Sequence, residues 1–423
     1  MDRLLKDVLV WRAGGGERRD LVLSGHRLLF DPAQWPDAPL EPFIGQDLHL
    51  FPGFTDVHVH LREPGFSYKE TMESGTLAAA HGGFATVCAM PNLDPVPDSM
   101  ETLQVQLALI ARSARVRVLP YGAITTGQKG LQLADLSGMA PWVAGFSDDG
   151  RGVQGGTMME QAMRACAELD KVLAAHCEDE ALTQGGWIHQ GDWAKAHGHQ
   201  GIPSMSEWRQ VARDLALAEK TRCRYHVCHV SARESVALIR DAKARGVDVT
   251  CETAPHYLVL DDSLLEDAGR FKINPPIRAR ADRDALVAGL ADGTIDMVAT
   301  DHAPHSAEEK ARGLAGSVNG AVGLETAFPV LYTALVRSGL IRLEQLVDAL
   351  STRPNARFGI SGEGDWTLFD LGSAYRVDPA GFLSKGRASP FEGMAVYGRC
   401  LMTLAQGRMA YLDPRLPEGG NAV

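Results

Sequence analysis

The sequence predicts an α/β fold: a closed (β/α)8 barrel of the TIM type with a small β domain built from both chain termini. Three observations predict it. Short β-rich apolar runs alternate with helical patterns from about residue 50 to about residue 340. Eight such runs occur, and the two ends of the chain share a different, strand–turn texture. Eight strands mostly separated by helices suit a closed barrel better than an open doubly wound sheet, which rarely needs so many.

The first run, HLFPGFTDVHVH (49–60), is followed by a helical stretch near 70–82. FATVCAMPN (84–92), a helix over 99–114 and VRVLPYGAIT (116–125) come next. WVAGFSD (142–148) leads into a helix near 157–169, and KVLAAHC (171–177) precedes a long helical stretch near 206–221. RYHVCHVS (224–231), a helix near 234–245, DVTCETAPHY (248–257), a helix near 282–292 and DMVATD (296–301) complete the alternation. Runs such as LLKDVLVWR and RLLF near the start, and WTLFDL and MAVYGRCLMTLAQGRMAYLD near the end, are broken by Gly, Pro and Asp. They divide the chain into residues 1–50 and 358–423, the two parts of the β domain, and residues 51–357, the barrel. The tail PEGGNAV is expected to fray.

Composition narrows the function. Lys+Arg 42 against Asp+Glu 53 gives a net charge of −11, which argues against a nucleic-acid partner held through its phosphates. Hydrophobic residues at 45% and charged residues at 22% describe a globular chain rather than a disordered one. No apolar run approaches the roughly 18 residues of a membrane span, and the first 20 residues lack the apolar core and cleavage site of a secretory signal. Cys88, Cys166, Cys177, Cys223, Cys228, Cys251 and Cys400 are scattered through apolar segments with no CxxC pair. They read as buried thiols of a reducing compartment, and the expected location is cytoplasmic.

The chemistry lies at the C-terminal ends of the strands, where barrel enzymes place their active sites. The first strand ends in Asp56-Val57-His58-Val59-His60, and alternation makes His58 and His60 project together. The fifth ends in His176, the sixth contains His226 and His229, and the eighth ends in Asp301. Four strand ends each offering His or Asp point to a metal site. Nitrogen and carboxylate donors without sulfur suit a catalytic divalent ion such as zinc. The implied chemistry is metal-assisted hydrolysis, or its reverse, at a carbonyl centre.

This pattern resembles the amidohydrolase superfamily, and longer strings narrow the resemblance. DVHVHLREPG (56–65), AMPN (89–92), FSDDG (146–150), AHCED (175–179), HVCHVS (226–231), INPPIR (273–278) and ATDHAPH…K (299–310) together resemble the class I dihydroorotases of bacterial type. The resemblance runs from about Phe51 to Arg357 and continues more weakly through FLSKGRASPFEGMAVYG (382–398). It implies a reversible cyclisation of N-carbamoyl-L-aspartate to L-dihydroorotate in pyrimidine biosynthesis, by metal-activated hydroxide with Asp301 as acid/base. It further implies zinc, one or two ions per subunit, a homodimer, and association with aspartate transcarbamoylase.

Carried over residue by residue, it makes His58 and His60 ligands of one metal and His176 and His229 ligands of a second. Asp301 also binds metal. Many relatives bridge the ions with a carboxylated lysine, but this chain has Ser147-Asp148-Asp149-Gly150 there, and the resemblance assigns the bridge to Asp149. Arg62 and Asn92 are assigned to the substrate carboxylate, a fit for a guanidinium fork. His305 is a further donor, Asn274 contacts the ring amide, and Asn319 and Gly320 close over the substrate. Where the family usually has an aromatic residue, this chain has Asn319. The Gly-rich stretch 305–320, which includes Lys310, reads as a mobile lid. Arg62 argues against a hydantoinase, whose substrates need not carry a carboxylate, and the full ligand set argues against a non-catalytic scaffold.

The remaining histidines have plainer readings. His26, His49, His189, His197 and His199 are expected at the surface, and His81 and His256 in supporting positions beside elements. His226, three residues before His229, is expected to face outside the barrel by strand alternation. His302 supports the orientation of Asp301.

Overall fold

The computed structural model describes residues 2–12 and 15–416. The tail Pro417–Val423, expected to fray, lies outside the described residues. Among those described, eight parallel strands form the barrel: Phe54–Val59, Phe84–Ala89, Arg117–Gly122, Gly145–Phe146, Val172–Ala175, Arg224–Val227, Val249–Thr253 and Met297–Val298, neighbours in that order. A parallel bridge between Val59 and His302 brings the last strand back to the first. His60 N donates to His302 O at 2.8 Å, and the buried Asp56 carboxylate accepts from Thr300 N at 3.1 Å. The barrel therefore closes immediately beside the candidate site residues His58, His60 and Asp301.

Helices Met72–His81, Met100–Ser113, Gly156–Glu168, Met205–Thr221, Arg233–Ala244 and Arg280–Asp292 pack outside the strands, within a few residues of the expected spans. Thr71 and Ser99 cap the first two by accepting from the amides three residues on, which satisfies donors that a helix start leaves free. The lower interior is filled by Val57, Cys88, Met90, Tyr121, Ala174, Cys228, Met297 and Ala299, with Phe358 packed against them. It is a packed core rather than a channel.

Several expected strands end early, among them the fifth at Ala175 and the eighth at Val298. The seventh stops at Thr253, and Pro255 starts a helical turn, Pro255–Val259; proline's fixed φ and missing N–H suit a first helical position. The sixth stops at Val227, short of His229.

The second sheet joins both ends of the chain. Its order is Arg408–Leu412, Ala395–Ala405, Trp366–Arg376, Leu48–Pro52, Arg3–Arg12, Gly15–Ser24 and Arg27–Leu29, with Glu41–Phe43 also on Arg3–Arg12. The run beginning at His49 is thus two strands. Leu48–Pro52 pairs antiparallel with Trp366–Asp370, and after Gly53 the chain enters the barrel at Phe54. An aromatic joint fastens the sheet to the barrel. Phe328 lies 5.3 Å from Phe54, 5.5 Å from Phe51 and 4.3 Å from Phe369, ring centre to ring centre. Phe328 is fully buried, so Phe328→Ala should lower unfolding free energy by roughly 3–5 kcal/mol. Urea denaturation of the purified variant checks this, and both sheets should melt together because one core joins them.

Candidate active site

At the mouth of the barrel, Asp149 sits among four imidazoles. Its Oδ1 is 3.4 Å from His58 Nε2, 3.7 Å from His176 Nδ1 and 3.5 Å from His229 Nε2, and its Oδ2 is 3.5 Å from His60 Nε2. Asp301 Oδ1 stands 3.1 Å from His60 Nε2 and 3.6 Å from His58 Nε2. Two trios within ligand reach emerge, His58–His60–Asp149 and Asp149–His176–His229, sharing the carboxylate. A further trio, His58–Cys228–Glu252, lies against the first.

These side chains fit a metal. Two bonds of about 2.1 Å at a tetrahedral angle place donors about 3.4 Å apart, in the range seen here. His58 Nε2 and Asp149 Oδ1 are buried with no hydrogen-bond partner among the described residues, as ligand atoms would be. Burial pushes the Asp149 carboxyl up, but His58, aided by His176 and His229, holds it well below the usual range. His176 is driven the other way, to about 10: burial lowers it, and Asp149 and Glu178 outweigh burial. The cluster demands positive charge at its centre.

Two of the imidazoles are oriented from behind. His58 Nδ1 bonds Glu252 Oε1 at 2.6 Å, and His60 Nδ1 bonds Asn92 Oδ1 at 2.8 Å. With Nδ1 engaged, the Nε2 lone pair of each is left for the centre. His229 lies beyond its strand with φ +35°, and Asp301 likewise with φ +48°; the left-handed backbone turns both side chains inward.

That turn corrects the expectation for His226. Alternation does not continue past Val227, and His226 faces the interior, where its Nε2 bonds Glu252 Oε2 at 3.0 Å and its Nδ1 bonds Thr250 Oγ1 at 2.9 Å. Glu252 was not singled out by the sequence reading, although it is an acid at the end of the seventh strand in phase with Thr250. Glu178 was missed too. Its Oε2 lies 3.6 Å from His176 Nε2 and accepts from Asn274 Nδ2 at 3.2 Å.

Asp148 and Asp149 part company. Asp148 accepts from the amides of Ile124 and Thr125 and from the Thr125 hydroxyl, tying the loop after the third strand. Two of the histidines expected at the surface are buried. His49 Nδ1 accepts from Trp11 Nε1 at 3.0 Å, and His189 packs with its Nδ1 unpartnered among the described residues. His26 and His197 are exposed, His81 and His199 half-buried, and His256 buried. His302 is held by Glu70 and by the amide of Gly323.

A cavity of about 210 Å³ opens on this cluster, lined by His60, Asn92, Asp149, Asn274 and Asp301 on the metal side. Arg62, His305, Asn319 and Gly320 complete its rim, so all the residues assigned to substrate border one space. It is smaller than the roughly 300 Å³ at which drug-sized pockets begin, and suits a small polar ligand. Arg62 is buried with φ +62°, and burial pulls its pKa down to about 10. Its Nε donates to Pro304 O at 3.2 Å, leaving the terminal nitrogens for an anion. Glu63, its neighbour in sequence, instead accepts from Met72 N.

His305 is fixed as a donor. Lys69 Nζ lies 3.1 Å from its Nδ1, and its Nε2 bonds Asn319 O at 2.7 Å. Burial, then Arg62 and Lys69, lower its pKa to about 3, so the ring is neutral with its proton on Nε2. Arg62 Nη2 sits 3.3 Å from that same Nε2. The His305 proton is taken by Asn319 O, so the facing Arg62 Nη2 gains no acceptor from this ring and is left for one from outside.

The family model described as Dihydro-orotase-like matches residues 48–235. The chain is 50% identical over 385 residues to a dihydroorotase of Shouchella clausii (strain KSM-K16), covering 89% of this chain and 90% of that one. It is 49% identical over 371 residues to a dihydroorotase of Bacillus caldolyticus, covering 86% and 87%. Among solved structures, the L-hydantoinase (dihydropyrimidinase) of Arthrobacter aurescens matches with a TM-score of 0.82 at 25% identity, over 100% of this chain and 97% of that one. A D-hydantoinase from Thermus sp. matches at 0.79 and 24%, over 97% and 95%, and supports the barrel fold alone. With half its residues shared over nearly nine-tenths of its length, this chain belongs to the dihydroorotase family.

Proposed function

We propose that the protein interconverts L-dihydroorotate and N-carbamoyl-L-aspartate, a step of pyrimidine biosynthesis, with zinc as its metal, one or two ions per subunit. The observation that carries the substrate assignment is Arg62, a buried guanidinium facing the cavity with no carboxylate within ion-pair distance among the described residues. A buried cation without an ionic partner is costly, and a substrate carboxylate compensates it. Arg62, Asn92 and His305 bind that carboxylate, while Asn274, Asn319 and Gly320 border the ring.

His58 and His60 would hold one metal position, His176 and His229 the other, with Asp149 between them and Asp301 at the first. A bound divalent ion would lower the pKa of water to about 7 and polarise the amide carbonyl. The protein's own groups do the rest. Burial raises the Asp301 carboxyl, but His60 and His58 outweigh it and keep the group ionised, so it can take a proton from the attacking water. As the carbon–oxygen bond forms and the ring carbon–nitrogen bond breaks, Asp301 hands that proton to the departing nitrogen. In the biosynthetic direction it first accepts the proton from the carbamoyl nitrogen. Glu252 and Asn92 keep the imidazoles of His58 and His60 from rotating meanwhile. No helix among the described residues is long and apolar enough to cross a membrane. A cytoplasmic homodimer that associates with aspartate transcarbamoylase belongs to the same reading and rests on the family resemblance.

Ultraviolet monitoring of dihydroorotate by the purified protein tests the activity: turnover should vanish on chelation and return with zinc. Stoichiometric absence of metal in a fully active sample would refute the metal assignment. Because an aspartate is ionised without added chemistry, and the surrounding histidines hold Asp149 well below the usual carboxylate range, reconstitution should proceed equally with and without bicarbonate. Asp149→Ala should lose metal, chiefly at the His176 and His229 position, whereas Asp148→Ala should keep most of it, as elemental analysis will read. Arg62→Lys should lower kcat/KM for dihydroorotate roughly 10- to 100-fold, the loss of one or two charge-assisted hydrogen bonds. The effect on an uncharged cyclic imide should be small; equal losses on both substrates would point to a structural role instead.

A further inference from the structure

Residues 305–320 cross the rim of the cavity, and an amine fastens them there. Lys310 ends the helical turn Ala307–Lys310 and is buried. Its Nζ donates to Lys272 O at 3.1 Å, Val318 O at 2.8 Å and Gly320 O at 2.6 Å. Three donors meet three acceptors. The adjacent acid, Glu309, is taken by Lys69 Nζ at 3.0 Å and by the Tyr68 hydroxyl, which hold the segment from outside. Burial, and then the nearby Lys272, pull the Lys310 pKa down to about 7, and the three bonds call for the ammonium form, because a neutral amine has only two N–H groups.

The three carbonyls belong to the substrate side of the site. Lys272 lies two residues before Asn274, and Val318 and Gly320 flank Asn319. One amine thus ties the stretch bearing Asn274 to the stretch bearing Asn319 and Gly320, alongside a backbone bond from Gly320 N to Lys272 O at 2.9 Å. With carbonyls 318 and 320 turned toward the amine, the Asn319 carbonyl between them turns the other way and accepts from His305 Nε2. Lys272 Nζ adds a bond to Ala315 O at 2.8 Å. Gly269 permits the close approach: a Cβ there would stand 2.1 Å from Lys310 O. A glycine-rich sequence here reads as a mobile lid, yet the side chain that shapes it is committed inward.

We propose that Lys310 is a positioning residue that holds this strap closed before substrate arrives, and through it sets His305, Asn319 and Gly320 against the cavity. The identity of the substrate rests on the dihydroorotase reading; the closed strap does not. Hydrogen–deuterium exchange of the metal-loaded, substrate-free wild-type protein reads the strap directly. The amides of Ser317, Val318 and Gly320, each bonded to a carbonyl, should exchange roughly tenfold or more slowly than an open loop. Exchange at open-loop rates overturns the proposal, whatever the variants do. Lys310→Met, similar in length but without donors, should lose that protection and raise KM for dihydroorotate roughly tenfold, with a smaller fall in kcat and unchanged metal content. Lys310→Arg should not rescue it, because a planar fork cannot serve three carbonyls gathered around one point. An unaltered KM in Lys310→Met, or full rescue by arginine, overturns the assignment. If the wild-type protein leaves dihydroorotate untouched, the substrate reading falls while the exchange data still judge the strap.

Discussion

Four imidazoles and two carboxylates share a dry space a few ångströms across, and this crowding governs the rest of the molecule. A buried carboxylate costs several kcal/mol unless it is compensated, and Asp149 has only rings around it whose lone pairs can equally well repel it. The arrangement is stable when positive charge lies at its centre, as protons on the histidines or as a metal. Every ring must then aim a chosen nitrogen inward. Glu252 behind His58 and Asn92 behind His60 make that choice by occupying the other nitrogen. His226, itself bonded to Thr250, in turn holds Glu252, so the demand reaches down into the barrel core.

Convergence on one point also explains why the barrel strands are short near the site. Gly145–Phe146 and Met297–Val298 are two residues each, and the chain leaves the sheet before its ligands appear. Regular alternation would spread side chains around the rim. Left-handed backbone at Arg62, His229 and Asp301 breaks the alternation and re-aims three of them. Such conformations cost about 1–3 kcal/mol each and persist where the surroundings over-determine them. Here Asp56, Glu70 and the backbone bond between His60 and His302 supply that determination, and the barrel's own closure is built from the same contacts.

The fold was legible in the sequence because periodicity survives without knowledge of neighbours, and six helices fall close to their expected spans. The residues that border the cavity were legible through strand-end strings that resemble a family. What escaped depended on where a strand stops. His226 was placed outside by an alternation rule that ends at Val227, two residues short of His229. His49 was read as exposed because its partner Trp11 is 38 positions away. The reading of 305–320 as a lid drew on its glycines alone, and the contact of Lys310 with Lys272, 38 residues apart, lay beyond it. In each instance the deciding contact is long-range.

The two walls of the cavity carry opposite electrostatic requirements, and their separation accounts for selectivity. The metal wall is assembled from anionic and neutral donors and distinguishes little among amides by charge, on a barrel similar to that of an L-hydantoinase. The opposite wall is selective. Lys69 is neutralised by Glu309 and His305 is uncharged, so Arg62 is the one uncompensated charge among these groups. An uncharged ring that filled the cavity would leave this guanidinium buried and unpaired, whereas a ring bearing a carboxylate would pair with it. Discrimination therefore arises less from attraction to the right substrate than from the cost the wrong one leaves behind. That cost is largest when water is excluded, as a strap closed across the rim would do.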